Sequence, residues 1–348
     1  MPAAPRVTLA LQGGGAHGAY GWGVVDALLD AVEVVAVSGA SAGAMNGAAL
    51  VTGLSEGGAD GARTALERLW RGVSAGSPLA LFEAPAWRGS MLDAYFRRSL
   101  GMAKLMGKYF APFTPGVRDM RQLRQVVRDT IDLELLATQT SVPFHVSATD
   151  VSTGAARIFT GAEVTCDALM ASACLPEMFA AVEIDGKRYW DGGFSANPAL
   201  EPLIADAGGA TDMIVVQVTP FVNDAVGNSV IDMTKRVAEI SFNACLLRDL
   251  NALTRIQQML RDDPRYAACA HPELKAIAST NLHMIGAPDA LGTLGSGSKV
   301  DTRWSALQRL YELGRETGAG WLAEHRQLLG RDSTLLTPIE ADVAGEGE

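Results

Sequence analysis

The sequence contains few cysteines, no long apolar run and no surplus of positive charge. Its four cysteines form no Cys-x-x-Cys pair, so we predict neither a zinc site nor a disulfide framework. Buried free thiols are expected instead at Cys166, Cys174, Cys245 and Cys269. The sequence contains no run of about 18 apolar residues, so we predict no membrane-spanning helix. Because a strand-like run begins at Val7, we expect no cleaved leader and a cytoplasmic protein.

Acidic residues outnumber basic ones, with 39 Asp and Glu against 29 Lys and Arg and a net charge of −10 over 348 residues. This balance argues against a nucleic-acid binder, because phosphate recognition requires a basic surface. The share of hydrophobic residues, 48%, is typical of a folded globular protein. We predict one α/β domain over residues 6–331, followed by an acidic, disordered tail over residues 332–348.

The positive charge is concentrated in one part of the chain. Residues 87–128 hold nine basic and two acidic side chains, a net +7, which leaves −17 for the remainder. We predict a helical, basic insertion at about residues 80–115, rich in methionine and in aromatic side chains: Trp87, Tyr95, Phe96, Tyr109 and Phe110. It is either an ordinary helical layer with solvated charges or a cap that contacts anionic lipid.

The hydrophobic pattern indicates strands alternating with helices. The first 50 residues are typical of a β-α-β unit, which predicts a mostly parallel central sheet flanked by helices. Asp185-Gly186 lies between short apolar arms and predicts a β-hairpin with a type I′ turn. The pattern also predicts long helices over residues 232–261 and 303–329 and a flexible connection over residues 292–298.

A glycine-rich loop over residues 13–18 follows the first predicted strand and matches G-x-G-x-x-G. This pattern is found in dinucleotide-binding folds, which need an acidic residue at the end of the second strand to hold the ribose. That end carries Ser38-Gly39, and Glu33 lies at the opposite end of the strand. The loop is therefore a weak dinucleotide signal, and a plain tight turn is a further alternative.

A second loop, at the end of the second predicted strand, has the form G-x-S-x-G with Gly39, Ser41 and Gly43. Between a strand and a helix this pattern predicts a nucleophile elbow with an exposed serine hydroxyl. A Ser-Asp-His triad would need a late histidine, but His271, His283 and His325 do not adjoin glycine-rich loops. These histidines are expected to lie at the surface or in the core.

An aspartate at the end of the predicted hairpin offers a different base. Asp191 is followed by Gly192 and Gly193, and Asp-Gly is also a common turn pair. The three loops together resemble the patatin-like phospholipase family over about residues 6–220. Further matching stretches are Asp150 with Gly154, residues 171–176, and Asn197-Pro198.

The resemblance implies a Ser-Asp dyad in which Ser41 is the nucleophile and Asp191 the base. It implies an oxyanion hole built from the backbone N–H groups of Gly13, Gly14, Gly15 and Ala42. Glycines expected to support these motifs are Gly18, Gly39, Gly43, Gly192 and Gly193. Family members commonly carry Arg or Lys where this chain has His17, which leaves the electrostatic strength of the oxyanion hole open.

The resemblance further implies a lipolytic acyl hydrolase that acts on phospholipids, lysophospholipids or related acyl esters without a metal or organic cofactor. The expected partner is a lipid or acyl-ester substrate, with peripheral contact to an anionic membrane and no nucleic acid. The alternatives are an esterase, thioesterase or acyltransferase on non-membrane esters, such as polyhydroxyalkanoate-type polyesters, and a non-catalytic lipid-binding module.

Overall fold

The computed structural model describes residues 4–76, 120–138, 141–207, 210–223, 227–262, 265, 271–294, 297–335 and 339. The predicted insertion at residues 80–115, the free thiol predicted at Cys269 and most of the predicted acidic tail lie outside these residues, although residues 332–335 and 339 of the tail are described. Within them, Cys166, Cys174 and Cys245 are buried free thiols, as the sequence predicts.

A mixed, mostly parallel sheet forms the centre of the described part of the chain. Its strands are hydrogen-bonded in the sequence β5-β6-β3-β2-β1-β7-β8, with β4 also paired to β3. The parallel pairs are β1 with β2, β1 with β7, β2 with β3 and β7 with β8. The strands are β1 (Arg6–Leu11), β2 (Glu33–Ala40), β3 (Phe144–Asp150), β4 (Ala156–Thr160), β5 (Val182–Ile184), β6 (Lys187–Asp191), β7 (Asp212–Val216) and β8 (Asn281–Ile285).

Helices cover both faces of this sheet. They are α1 (Gly18–Leu28), α2 (Ala42–Ala75), α3 (Arg121–Thr130), α4 (Leu133–Thr138), α5 (Cys166–Ser172), α6 (Glu201–Ala205), α7 (Val230–Asp262), α8 (Pro272–Ser279), α9 (Asp289–Gly292) and α10 (Trp304–His325). Leu9 and Leu11 of β1 join a core shared with α1, α2 and α10, whereas Ala10 joins a core shared with α6 and α7. This alternation buries both faces of the central strand and confirms the predicted α/β class.

The edge of β3 that faces β2 is shared by two strands. Along β3, Ser147 pairs with Ala40 of β2, and the next residue, Ala148, pairs with Asp191 of β6. Strand β4 pairs with both of these β3 residues and so occupies the other edge. Strands β2 and β6 therefore run toward each other along the same edge and end at neighbouring positions, one strand residue apart, or about 3.3 Å.

Several local predictions can be compared with the structure. Asp185 and Gly186 both have positive φ, 51° and 74°, as a type I′ turn requires, so the hairpin prediction is confirmed. The flexible connection predicted over residues 292–298 is wrong in part: Gly292 ends helix α9, and Ser298–Val300 is a 3-10 turn packed against the glycine loop. None of the helices in the described ranges is long and apolar enough to cross a membrane.

Candidate active site

Ser41 occupies a sharp turn between β2 and α2. Its φ of 52° and ψ of −122° are rare for a residue with a side chain, and such backbone strain concentrates at functional sites. A Cβ atom on Gly39 would lie 2.5 Å from the Gly43 carbonyl oxygen, and one on Gly43 would lie 2.0 Å from the Leu11 carbonyl oxygen. Both glycines are needed because strand, turn and helix approach so closely, as the predicted elbow requires.

Hydrogen bonds hold this turn in place. The Ser41 N–H donates to the Ser172 hydroxyl at the end of α5, at 2.9 Å. The Ser41 carbonyl accepts the bond from the Met45 N–H that starts helix α2, at 3.1 Å. The amide of Ala42 precedes this first helical bond, so it belongs to the N–H groups that a helix N-terminus leaves without an intrahelical acceptor.

Asp191 ends strand β6 beside this turn and is fully buried. Its N–H donates to the Cys174 carbonyl at 2.8 Å, and its Oδ1 accepts the Gly193 N–H at 2.8 Å. Its other oxygen, Oδ2, is buried and meets no donor in hydrogen-bonding geometry within the described segments. A buried carboxylate oxygen without a partner is costly, which singles Asp191 out among the acidic residues of the sheet.

The environment of Asp191 favours its protonated form. Burial raises the pKa of its carboxyl to about 7, against the opposing effects of the Gly193 N–H and the Ser41 hydroxyl, while the charge of Glu177 adds to the rise. The Ser41 hydroxyl is therefore close enough to lower the pKa of the Asp191 carboxyl, although it does not reach Oδ2 in full hydrogen-bonding geometry. Catalytic hydrogen bonds are often loose before substrate binds.

The glycine loop after β1 packs directly against Ser41. A Cβ atom on Gly13 would lie 2.8 Å from the Ser41 Cβ atom and 2.8 Å from the Ala40 carbonyl oxygen, so only glycine fits there. The Gly13 N–H donates to Asn197 Oδ1 at 2.8 Å. Of the four expected oxyanion donors, Gly13 is therefore engaged by the protein, and we do not assign it to the oxyanion hole.

The next two glycines are confined from the opposite side. A Cβ atom on Gly14 would lie 2.6 Å from Val218 Cγ2, and one on Gly15, whose φ is +61°, would lie 2.5 Å from the Lys299 carbonyl oxygen. No protein acceptor for the Gly14 or Gly15 N–H lies in the described ranges. These two amides and that of Ala42 are thus the donors of the expected set that are not already used.

His17 lies behind the glycine loop and is buried. Its Nε2 contacts the Ser298 hydroxyl at 2.8 Å, in the 3-10 turn that also confines Gly15. Gly18, one residue later, is held by the Asn46 side chain, whose Nδ2 donates to the Gly18 carbonyl at 2.8 Å. The described contacts therefore give His17 a role in anchoring the loop.

The turn after Asp191 needs glycine for close packing. A Cβ atom on Gly192 would lie 2.2 Å from the Ser147 carbonyl oxygen, and one on Gly193 would lie 2.2 Å from Phe242 Cε1. The Ser147 hydroxyl lies 2.8 Å from the Ala196 carbonyl oxygen, and the Thr149 hydroxyl donates to the Asp191 carbonyl at 2.7 Å. These contacts tie the Asp191 turn to strand β3.

Three hydroxyl groups that hold the site together, those of Ser147, Thr149 and Ser172, are not predicted from the sequence. Ser147 and Thr149 alternate along a strand whose neighbours are apolar, and buried hydroxyls in such a strand need partners, which is the signal that could have identified them. Ser172 lies in the stretch of residues 171–176 that resembles the patatin-like family, but that resemblance predicts no partner for its hydroxyl. Its contact with Ser41 joins segments 131 residues apart, so no local pattern predicts it.

The late histidines have other partners. His283 Nε2 contacts Asp212 Oδ1 at 2.9 Å, and His325 Nδ1 contacts the Trp321 carbonyl oxygen at 3.1 Å. His271 precedes helix α8. No histidine in the described part of the chain hydrogen-bonds to Asp191, so its geometry provides no Ser-His-Asp triad.

A separate cavity of about 700 Å³ opens at the amino ends of β1 and β2. Its lining includes Leu29, Val34, Leu54, Val142 and Asp206. Ser41 and Asp191 lie toward the other end of the sheet and line no part of this cavity. It is therefore not the candidate active site.

A family model described as patatin-like phospholipase matches residues 9–204, more than half of the chain. Among solved structures, the chain is similar to VipD from Legionella pneumophila, with 12% sequence identity and a TM-score of 0.39, covering 93% of this chain and 67% of that chain. No curated protein matched the sequence. The family match spans the glycine loop, the turn at Ser41 and the Asp191 turn. The chain belongs to the patatin-like phospholipase family.

Proposed function

We propose that this protein is a lipolytic acyl hydrolase that cleaves carboxylic esters of phospholipids, lysophospholipids or related lipids. Ser41 is the nucleophile and Asp191 the general base, and the reaction passes through an acyl-enzyme. The observation that carries the proposal is the meeting of the Ser41 turn with a buried carboxyl group of raised pKa on one edge of β3. Perturbed titration beside a strained serine is typical of a nucleophile and its base.

In the acylation step, Asp191 takes the Ser41 hydroxyl proton while the Ser41 oxygen attacks the ester carbonyl carbon. The tetrahedral intermediate collapses as the bond to the leaving alcohol breaks, and Asp191 returns the proton to that alcohol. A pKa of about 7 suits both directions of this transfer, because the group is neither a strong acid nor a strong base near neutral pH.

The negative oxygen of the intermediate needs donors that are already in position. The proposal assigns this role to the amides of Gly14, Gly15 and Ala42, with Ala42 at the N-terminus of the first helical part of α2, which runs up to the non-helical Gly57. Each such donor typically contributes about 2.7–4 kcal/mol to the transition state. In deacylation, Asp191 takes a proton from a water molecule as its oxygen attacks the acyl carbon, and the proton returns from Asp191 to the Ser41 oxygen as the acyl bond to Ser41 breaks.

The proposal can be tested with Ser41→Ala and a matched control. Wild type is expected to react with a fluorophosphonate probe and to hydrolyse p-nitrophenyl butyrate, and Ser41→Ala is expected to do neither. Ser38→Ala removes another buried hydroxyl, three residues earlier in β2, and is expected to retain both activities. Hydrolysis by Ser41→Ala at the wild-type rate would exclude Ser41 as the nucleophile.

A substrate panel distinguishes the proposed lipid substrates from other acyl esters. Phospholipids, lysophospholipids, acyl-thioesters and a polyhydroxyalkanoate are incubated with wild type and with Ser41→Ala. Release of fatty acid from the lipids by wild type alone supports the proposal, and preference for the thioester or polyester assigns the other enzymatic role. A protein that binds these lipids without hydrolysis or probe labelling would be a non-catalytic lipid-binding module.

Two further parts of the proposal rest on the sequence alone. They are a cytoplasmic location and contact with an anionic membrane through the basic insertion predicted at about residues 80–115. Reversing the charges of Arg97, Arg98, Lys104 and Lys108 is expected to reduce cosedimentation with anionic liposomes. Unchanged cosedimentation would remove this segment from the proposed membrane contact.

A further inference from the structure

Asn197 connects the two loops of the candidate site. Its side chain is fully buried and uses both ends of its amide. Oδ1 accepts the Gly13 N–H at 2.8 Å, and Nδ2 donates to the Phe242 carbonyl at 2.9 Å. A buried amide satisfied at both ends has one orientation, so it fixes the distance between the groups it joins.

The segment from Asp191 to Asn197 is closed by its own hydrogen bonds. The N–H groups of Ser195 and Ala196 both donate to the Gly192 carbonyl, at 3.0 Å and 2.9 Å. The Ala196 carbonyl is bound in turn by the Ser147 hydroxyl of β3. The position of Asn197 is therefore coupled to the position of the proposed base.

On the other side, Asn197 controls a loop that contacts the nucleophile. Gly13 packs against Ser41, and Gly14 and Gly15 follow it directly. The hydrogen bond from the Gly13 N–H to Asn197 fixes the orientation of the peptide between Gln12 and Gly13. The Gly14 and Gly15 amides follow directly after this peptide, so their directions depend on it. Without Asn197 the buried Gly13 N–H would lose its acceptor, and the loop would have to reorient to find another.

Helix α7, beyond the segment that matches the family model, supports the same connection. The ring of Phe242 packs edge-on against Phe194, with the ring centroids 4.9 Å apart. The next residue, Asn243, accepts the Gln12 side-chain N–H at 2.8 Å. One turn of α7 thus holds Asn197 and the residue before the glycine loop.

We propose that Asn197 is a positioning residue for the proposed acyl transfer. Asn197 accepts the Gly13 N–H, so this N–H does not donate to the oxyanion. The same contact orients the Gly14 and Gly15 amides relative to Ser41 and Asp191. This inference rests on the proposed function, because the amides matter only if a charged intermediate forms beside Ser41.

The test is Asn197→Leu, which keeps the approximate size of the side chain and removes both hydrogen bonds. The hydrolysis of p-nitrophenyl butyrate is measured, and kcat is expressed per site titrated with the fluorophosphonate probe. We expect kcat per titrated site to fall about 10- to 100-fold with KM changed less than about 3-fold, because misplaced oxyanion donors weaken only the transition state.

Gln257→Leu is the matched control, since Gln257 is a buried amide of α7 that donates to the carbonyls of Ile277 and Thr280. It is expected to lower the melting temperature and to leave kcat per titrated site unchanged. Asn197→Asp keeps the shape and the oxygen that accepts the Gly13 N–H but loses the donor to the Phe242 carbonyl, so it is expected to lower the melting temperature and to retain more kcat per titrated site than Asn197→Leu.

Wild-type kcat per titrated site in Asn197→Leu would overturn the inference, as would equal losses in Asn197→Leu and Asn197→Asp. Should Asn197→Leu fail to fold, a loss of kcat in soluble Asn197→Asp as large as that of Ser41→Ala would also overturn it. Failure of the proposed function gives a different result, namely wild type without probe labelling or hydrolysis, and the positioning role would fall with it.

Discussion

Two buried aspartates at opposite ends of the sheet, Asp212 and Asp191, differ in how many hydrogen bonds their carboxyl oxygens accept. Asp212 begins β7, and both of its carboxylate oxygens accept hydrogen bonds. The donors are Thr211, Asn281, His283 and Gly330. Burial alone would raise the pKa of Asp212, but these hydrogen bonds outweigh it and the pKa is lowered.

Asp191 is also closed off from solvent, but its Oδ2 has no hydrogen-bond partner within the described segments, and its pKa is raised to about 7. Burial and the supply of donors together decide the charge state of these two carboxyl groups: burial raises both pKa values, and only Asp212 has enough donors to reverse that rise. Asp212 has an ionised carboxylate that stabilises the fold. Asp191 has an oxygen free to accept a proton, at a cost to the fold that its proposed role as a base explains.

The largest expected effect is on catalysis by Asp191→Asn. An amide has the same shape but accepts no proton, so hydrolysis should fall by about 10²–10⁴-fold, the usual contribution of a general base. The measurement is kcat/KM for p-nitrophenyl butyrate, with circular dichroism to establish that the fold is intact. Asp185→Asn, in the exposed hairpin turn, is the control and should retain wild-type activity. Hydrolysis by Asp191→Asn at more than a tenth of the wild-type rate would contradict the assignment.

The next largest effect is on stability, through Asp212→Asn. The new side-chain NH2 group would face donors that now bind a carboxylate, and the His283 contact would lose its charged partner. We expect the free energy of unfolding in urea to fall by about 3–5 kcal/mol, as when one partner of a buried pair is removed. The exposed Asp289→Asn should change it by less than about 0.5 kcal/mol. A kcat per titrated site below the wild-type value in Asp212→Asn would show that the two ends of the sheet are coupled.

Much of this arrangement follows from local sequence signals. The Ser41 turn, the glycine loop and the Asp185-Gly186 hairpin were each predictable because their glycines and spacing satisfy a local backbone requirement. The helix positions were predictable from apolar periodicity, whereas the continuation of α2 to Ala75 beyond the non-helical Gly57 and Gly58 was not.

The meeting of Ser41 with Asp191 was predictable only through the family resemblance. It depends on β2 and β6 sharing one edge of β3, and strands separated by more than 140 residues carry no periodicity that reports this pairing. The engagement of Gly13 by Asn197 and the different numbers of donors around Asp191 and Asp212 are likewise products of tertiary packing. A residue type in the sequence does not state how many donors will surround it.

A third expected effect is the pH dependence of stability. Because the pKa of Asp191 is higher in the folded protein than in the unfolded chain, its contribution to stability is full at low pH and is lost as pH rises from about 4 to about 7. Asp191→Asn removes this loss, so at pH 8 the variant should be more stable than wild type by up to about 4 kcal/mol. At pH 4 the difference should nearly vanish. Urea unfolding at both pH values measures it, and equal stabilities at pH 8 would place the pKa of Asp191 in its ordinary range.

The smallest expected effect concerns Glu177, whose charge adds to the rise that burial produces in the pKa of Asp191. Glu177→Gln should lower this pKa, so the acid limb of the kcat/KM profile should move to lower pH. The shift should be small, because the Glu177 charge is the weakest of the influences that act on this pKa. Glu183→Gln, an exposed glutamate on β5, should leave the profile unchanged. A limb that does not move in Glu177→Gln would mean that the Glu177 charge does not contribute to the raised pKa of Asp191 and that the contrast with Asp212 rests on burial and donors alone.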